Sequence, residues 1–225
     1  FALPMICSNL LQQLYNIVDT LIVGRFIGTG ALAAVGSAYT LMTFIISILL
    51  GMCMGSGAIF SIRFGEKRWD HLRENIFTSF VMIAFFSAVL NILSFVMIDR
   101  IMHFISVPEE VYGLMREYLL VVFCGIFASF LYNFFASLLR AVGNSMMPLV
   151  FLGVSAVLNI ALDLVFVLGF DMGVGGAALA TVISQWIAGA GMMFYTLVKC
   201  PELRPQRKDM RITAVGLGEI TGASV

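Results

Sequence analysis

The chain has 225 residues, of which 60% are hydrophobic and only 12% are charged, and its formal net charge is zero. Soluble domains carry roughly 25% charged residues, so this composition excludes an ordinary soluble protein and indicates a membrane protein. The balanced charge gives no signal for nucleic-acid binding.

Six apolar runs are long enough to cross a bilayer, since a spanning helix needs about 20 residues. Strands of a membrane barrel would instead alternate in hydrophobicity over about 10 residues, whereas these runs are continuously apolar. We therefore predict an all-α fold, a polytopic membrane protein built as a bundle of six transmembrane helices. In chain order the predicted spans are about 1–25, 31–62, 75–98, 111–140, 145–169 and 174–198.

The segments after the sixth span differ in character. Residues 199–211 are polar and basic, which predicts a cytoplasmic linker, and residues 212–225 turn apolar again, as in the truncated start of a seventh helix. The chain begins with Phe1 and has no basic region of the kind that opens a signal peptide. We therefore expect a complete protein to continue beyond this sequence.

Basic residues are concentrated on one side of the predicted bundle. Ten of the 13 lysines and arginines lie in the second-to-third connection, the fourth-to-fifth connection or the segment after the sixth span. The positive-inside rule places that side in the cytoplasm. We expect a multi-pass protein of the cell membrane (the inner or plasma membrane), with the 63–74, 140–145 and 199–211 loops in the cytoplasm.

Two aspartates, Asp19 and Asp163, lie inside apolar runs. Ionisable groups within membrane spans are costly, and they often mark ion or substrate pathways. The alternative is a hydrogen bond that holds two helices together, worth about 0.6 kcal/mol on average. Such a bond does not need an ionisable group, so the two carboxylates predict transport.

Other polar side chains repeat at steps of three or four residues within the spans, so they share helix faces. We expect these faces to turn inward, away from lipid, and to line a cavity with Gln12, Asn16, Ser155 and Gln185. For Asn133 and Asn159 the sequence leaves both possibilities open, a binding role or a bond between helices. The full set comprises Ser8, Gln12, Asn16, Ser129, Asn133, Ser137, Ser155, Asn159, Thr181, Ser184 and Gln185.

The surroundings of the two aspartates resemble each other. Each is followed by apolar residues, a glycine-rich turn and an Ala-Leu-Ala sequence, at 31–33 after Asp19 and at 178–180 after Asp163. This weak internal repeat predicts that both carboxylates lie at one depth, near the outer mouth of a shared cavity. Chance repetition in an apolar sequence is the alternative.

No motif of an enzyme is present in the sequence. We find no nucleophile motif and no phosphate-binding loop, and the four cysteines lack metal-ligand spacing. We therefore expect no enzymatic activity, no catalytic residue, no organic cofactor and no nucleic-acid partner.

Several segments together resemble the multidrug and toxic compound extrusion (MATE) transporters of the MOP flippase superfamily, and the match covers nearly the whole chain. The segments that carry the resemblance are Leu11–Asp19, Val23–Gly28, Ala31–Gly36, Arg63–Arg68, Leu139–Asn144 with Pro148, Leu158–Asp163 and Gly173–Thr181. The resemblance implies that residues 1–198 form the N-terminal lobe of a twelve-helix transporter. The second six-helix lobe would then be the main partner of this one within the bilayer.

The resemblance also implies functional residues. It implies a cation site, for H⁺ or Na⁺, built around Asp19 and Asp163. It also implies that Pro4 is a hinge that lets the first helix bend. The implied companions of the aspartates are Asn133, Asn159 and Thr181. Cation binding from outside then drives the export of small amphiphilic compounds by alternating access.

A lipid-linked precursor flippase of the same superfamily is the alternative function, and a non-transport membrane protein is a more distant one. A flippase substrate is anionic and needs arginine or lysine in its cavity. Because the sequence shows no basic residue within the predicted helix interiors, we expect cationic or neutral substrates.

Overall fold

The computed structural model describes residues 2–204, apart from the side chains of residues 2–5 and 9. It is all-α, and no strand occurs within that range. The helices are α1 (Ala2–Ile22), α2 (Thr29–Gly65), α3 (Trp69–Phe104), α4 (Glu109–Phe123), α5 (Ile126–Ala141), α6 (Met146–Asp163) and α7 (Gly173–Lys199). Two π-helical turns, Val23–Ile27 and Leu164–Gly169, extend α1 and α6, and a short 3₁₀ helix, Pro201–Leu203, follows α7.

These elements form six antiparallel rods, because α4 and α5 are two arms of one segment bent by 46°. The rods run beyond the predicted spans at several ends: α3, for example, covers Trp69–Phe104 where 75–98 was predicted. Helical hydrogen bonds do not stop where the apolar sequence stops, so polar ends remain helical outside the hydrocarbon layer. The predicted fourth span, 111–140, is the one that the structure divides.

Not every rod is equally apolar. By length and hydropathy, α2, α3, α6 with its π turn, and α7 can each cross a membrane, and the bent α4–α5 pair can form a fifth span. Helix α1 falls outside this set of the described helices because its polar residues lower its hydropathy. Those residues are Ser8, Gln12, Gln13, Asn16 and Asp19.

Helices α5 and α7 form the middle of the bundle. Helix α7 packs against α4, α5 and α6, and α5 also packs against α2 and α3. Small residues allow this close approach: a Cβ added at Gly189 of α7 would lie 2.7 Å from the carbonyl oxygen of Ala128 in α5. On the other side of α5, the Phe134 ring lies 5.9 Å from that of Phe60 and 5.4 Å from that of Phe80, joining three helices.

The two ends of the bundle differ. The basic end holds the α2–α3 turn, the α5–α6 turn and the residues after α7. There Arg73 donates from Nε to the Glu202 carbonyl at 2.8 Å, and Leu203 is buried. The start of the predicted linker 199–211 is therefore docked on the bundle, while residues 205–211 and the predicted seventh helix 212–225 lie outside the described residues. The opposite end, which carries both π turns, is called the π end below.

Candidate functional site

The two aspartates of the apolar runs meet inside the bundle. Asp19 near the end of α1 is 8% exposed, Asp163 at the end of α6 is 0% exposed, and their carboxyl groups lie close enough to interact directly. Within the described part of the chain, no amide or hydroxyl donor reaches Oδ1 of either residue. Two carboxylates in such a place repel each other unless a cation lies with them, so the pair fits a proton or a small metal ion.

Each aspartate is followed by a π-helical turn. Asp163 directly precedes the turn Leu164–Gly169, Asp19 lies one helical turn before Val23–Ile27, and the two turns contact each other. Both segments lead through a glycine with positive φ into the next helix, at Gly28 (φ 124°) and Gly173 (φ 57°). Such turns are rare in proteins and occur frequently at functional sites. The repeat seen in the sequence thus corresponds to a repeated local structure that carries both carboxylates.

Asn159 and Thr181 adjoin Asp163. The Asn159 amide can point two ways: in one, Nδ2 donates to Thr181 Oγ1 at 3.3 Å. In the other, Nδ2 donates to Asp163 Oδ2 at 3.2 Å and Oδ1 accepts from the Thr181 backbone N–H at 3.3 Å. The second orientation satisfies both ends of the amide, and it binds α6 to α7 at the level of the carboxylate.

Two tyrosines complete the surroundings of the carboxylate pair, and the sequence analysis did not single them out. Tyr15 lies close to Thr181, and both Tyr15 and Tyr118 lie close enough to the aspartates for direct electrostatic interaction. Tyr15 precedes Asp19 by four residues and therefore lies on the same helix face. The four-residue spacing from Asp19 could therefore have identified Tyr15 as a site residue from the sequence.

A cavity of about 390 Å³ lies beside the carboxylate pair, between α1, α2, α5, α6 and α7. The predicted residues Gln12, Ser155 and Gln185 line it. Tyr15 and Thr181 both line the cavity, whereas the lining includes neither aspartate. Tyr15 lies close to both acids, and Thr181 bonds to Asn159 beside Asp163. The carboxylates are therefore buried next to the cavity, one layer of side chains away from it.

Asn16, which was predicted to line the cavity, is placed elsewhere. Its Nδ2 donates to the hydroxyl of Tyr39 at 3.3 Å, and the cavity lining contains Tyr15 in its stead. Two steps of four residues, from Ser8 to Asn16, rotate about 80° around a helix of 3.6 residues per turn. Tyr15, four residues before Asp19, therefore lies on the face of α1 that carries Asp19 and lines the cavity.

Two further residues of the predicted site are Asn133 and Pro4. Asn133 lines the cavity, and its Nδ2 donates to the Ser129 carbonyl within α5 at 2.8 Å. The structure thus puts it on the cavity wall and not among the groups around the pair. Pro4 lies in the first turn of α1, and its side chain lies outside the described residues.

A basic residue also lines the cavity, contrary to the expectation from the sequence. Arg140, in the last turn of α5, is half-buried on the cavity wall at the basic end. It was assigned to a loop because the apolar run ends there, but α5 continues to Ala141. Arg140 follows Asn133 by two helical turns, so both residues belong to one face.

The bend between α4 and α5 is held by side chains from two other helices. Asn91 of α3 donates to the Phe123 carbonyl at 2.6 Å, and Trp186 of α7 donates to the Cys124 carbonyl at 3.2 Å. Next to the bend, the Ser129 hydroxyl donates to Gln185 Oε1 at 3.3 Å. The bonds from Asn91 and Trp186 satisfy backbone oxygens that a break within a membrane would otherwise expose.

A larger and more open groove, of about 770 Å³, lies at the π end around the α3–α4 turn, where His103, Glu109 and Tyr112 line it. Its lining contains none of the site residues predicted from the sequence. We therefore take the smaller cavity beside Asp19 and Asp163 as the candidate site.

The chain is similar to known transporters along most of its length. A family model described as MatE matches residues 4–165. The probable multidrug resistance protein YpnP of Bacillus subtilis is 31% identical over 197 residues, which cover 88% of this chain and 44% of that protein. The multidrug export protein MepA of Staphylococcus saprophyticus is 28% identical over 226 residues, which cover 98% of this chain and 49% of that protein.

The fold has a close counterpart among solved structures. A MOP superfamily transporter from Pyrococcus furiosus matches with a TM-score of 0.91 at 24% identity, covering 98% of this chain and 49% of that one. At this identity the likeness concerns the fold. The chain spans about half the length of the curated relatives it matches.

Proposed function

Because this chain belongs to the MatE family, we propose that it is part of a cation-coupled antiporter that exports amphiphilic organic compounds across the cell membrane. The names of its relatives, which are multidrug resistance and export proteins, support this function. The observation that carries the proposal is the contact between Asp19 and Asp163 in a buried place next to a polar cavity. Structural hydrogen bonds between helices do not require two ionisable groups at one point.

Coupling follows from the packing around the pair. The two carboxylates sit on α1 and α6, which pack against each other, so a cation that neutralises the pair also changes the preferred packing of these helices. A ligand shifts such an equilibrium only through its different affinities for the two states. In this mechanism the cation enters from the π end, which the basic residues place outside, and stabilises the state that releases substrate outward.

Thr181 and Tyr15 connect the cation site to the cavity. Both residues line the cavity. Thr181 bonds to the Asn159 amide, and Tyr15 lies close to the two aspartates. A change in the charge of the pair therefore reaches the cavity wall through two side chains. The available oxygens, from carboxylate, amide and hydroxyl groups, suit a hard cation such as Na⁺ as well as a proton.

The test uses the full-length protein in proteoliposomes with an imposed proton or sodium gradient, and it measures efflux at matched protein levels. Asp19→Asn should abolish gradient-driven efflux, because an amide neither titrates nor carries charge, and Asp163→Asn should impair it. Asp171→Asn is the matched control: Asp171 is exposed at the α6–α7 turn, where its φ of 52° is tolerated by asparagine. Wild-type efflux by the Asp19→Asn variant would leave that carboxylate with a structural role alone.

A second candidate, a lipid-linked precursor flippase, is supported by Arg140 on the cavity wall. Its substrate is anionic, and a guanidinium group is suited to bind such a group. The same proteoliposomes separate the two functions, since an antiporter responds to a cation gradient imposed in the absence of lipid-linked substrate.

A further inference from the structure

Arg140 and Ser145 face the basic end of the cavity from either side of the turn between α5 and α6. Arg140 is half-buried, and among the described residues no carboxylate or carbonyl is found bonded to its guanidinium group. Ser145 is 8% exposed, lines the same cavity, and its buried Oγ has no hydrogen-bond partner in the described part of the chain. A buried hydroxyl without a partner at the edge of a cavity points to a group that binds there.

The N-terminus of α6 adds to this arrangement. Asn144 accepts the Met147 N–H through Oδ1 at 3.3 Å, whereas the Ser145 side chain makes no capping bond, and Ser145 lines the cavity. Tyr132 donates its hydroxyl to the Pro148 carbonyl at 3.0 Å and fixes the wall beside Arg140. The first turn of an 18-residue helix carries partial positive charge, so it favours an anion at the same place as the guanidinium group.

We propose that Arg140, the Ser145 hydroxyl and the N-terminus of α6 form a subsite for an anionic oxygen group, a carboxylate, sulfonate or phosphate, on an amphiphilic ligand of the cavity. This inference rests on the proposed transport function and adds a substrate class to it. The carboxylate pair lies beyond the other end of the cavity, about 27 Å from Ser145 along α6 at 1.5 Å per residue. The cavity is therefore polarised along its length, and it suits zwitterionic amphiphiles with the acidic group towards the basic end.

The test is a binding measurement with two dyes that differ in one group. Tetramethylrhodamine carries a free carboxylate, and its methyl ester has the same ring system without that charge. Fluorescence polarisation with the detergent-solubilised full-length protein gives both dissociation constants. Arg140→Gln should raise the dissociation constant of the free acid by about tenfold, as expected for loss of a charge-assisted hydrogen bond, and leave that of the ester unchanged.

Two further variants refine the result. Arg140→Lys keeps the charge but loses the planar fork of donors, so its effect on the acid should be intermediate. Ser145→Ala should weaken binding of the acid severalfold without affecting the ester. Arg68→Gln is the control: Arg68 lies at the basic end, its side chain is 59% exposed, it pairs with Glu66 at 3.8 Å, and the cavity lining does not include it.

The anionic group can belong to a transported compound or to a lipid of the cytoplasmic leaflet. Binding in nanodiscs of phosphatidylcholine, with and without phosphatidylglycerol, separates the two sources. Competition by phosphatidylglycerol in the wild type, absent in Arg140→Gln, identifies a lipid headgroup as occupant. Binding of the free acid that phosphatidylglycerol does not diminish, but that Arg140→Gln weakens, identifies a soluble ligand as occupant.

Equal losses for both dyes in Arg140→Gln would assign Arg140 a structural role and overturn the proposal, and so would unchanged binding of the free acid. Neither outcome depends on a cation gradient. Failure of this subsite is therefore distinguishable from failure of the coupling proposed for Asp19 and Asp163.

Discussion

The carboxyl groups of Asp19 and Asp163 lie close enough to interact directly although they belong to the first and the fifth rod of the bundle. The contact lies where α1 packs on α6, and α1 makes few contacts with its sequence neighbour α2. The position of α1 within this lobe therefore depends mainly on the interface that contains the two acids. Any change in their charge acts directly on that interface.

Asn159→Ala should lower cation-coupled efflux by about tenfold, because Asp163 loses an amide donor and a hydrogen bond to a charged group contributes roughly 1.5–3 kcal/mol. The measurement is gradient-driven efflux from proteoliposomes containing the full-length protein. Asn16→Ala is the matched control, since Asn16 bonds to Tyr39 and does not line the cavity. A loss in Asn16→Ala as large as in Asn159→Ala would contradict the placement of the site.

If Pro4 lets α1 change its shape during transport, Pro4→Ala should reduce efflux severalfold and leave membrane insertion and abundance unchanged. Alanine restores a backbone donor and favours a straight helix. Pro148→Ala is the matched comparison, since Pro148 also occupies the first turn of its helix, α6, but does not belong to α1. Efflux and membrane abundance are measured in parallel in cells expressing the full-length protein. Normal efflux by Pro4→Ala would show that the proline is not a hinge.

Cysteine labelling tests the orientation. In a full-length background without native cysteines, Arg68→Cys at the basic end should react only with membrane-permeant thiol reagents, whereas Glu110→Cys at the π end should react with impermeant ones. Both positions are exposed and lie outside the apolar stretches. The opposite labelling pattern would invert the membrane orientation and with it the side from which the coupling cation enters.

Gly189→Ala should destabilise the protein by about 1–3 kcal/mol, as expected for overpacking, because the added Cβ would lie 2.7 Å from the backbone oxygen of Ala128. A backbone atom cannot turn aside as a long side chain can. Gly51→Ala, with open space around the added Cβ, should change the melting temperature little. Thermal unfolding of the detergent-solubilised full-length protein distinguishes the two, and equal melting temperatures would argue against the close contact of α5 with α7.

The all-α fold could be predicted from the sequence, because continuous apolar runs of this length form helices in a bilayer. The two aspartates were expected near the outer mouth of a shared cavity, but they lie close to each other beside the cavity, and its lining includes neither of them. Polarity alone could not show that Tyr15, and not Asn16, lines the cavity. That placement depends on the 3.6-residue period of the helix, which carries the amide towards Tyr39 and the phenol towards Thr181.

The bend at Cys124–Gly125 and the place of Arg140 were also missed, for different reasons. The residues around the bend are all apolar. The hydrogen bonds that stabilise the bend come from Asn91 and Trp186, which belong to other helices. Such tertiary contacts leave no local pattern. Arg140 was set aside because the apolar run ends before it, although the helix continues past it.

The contact between α1 and α6 also has a consequence for biosynthesis. Asp19 is translated long before Asp163, and ribosomes add roughly 5–20 residues per second, so the about 140 residues between them take roughly 7–30 seconds. During that interval α1, the rod with a polar face along much of its length, has neither α6 nor the carboxylate that later adjoins its own. The nascent helix must therefore remain close to the translocon or to water until the fifth rod arrives, and substitutions that delay α6 should leave the first helix open to quality-control proteases.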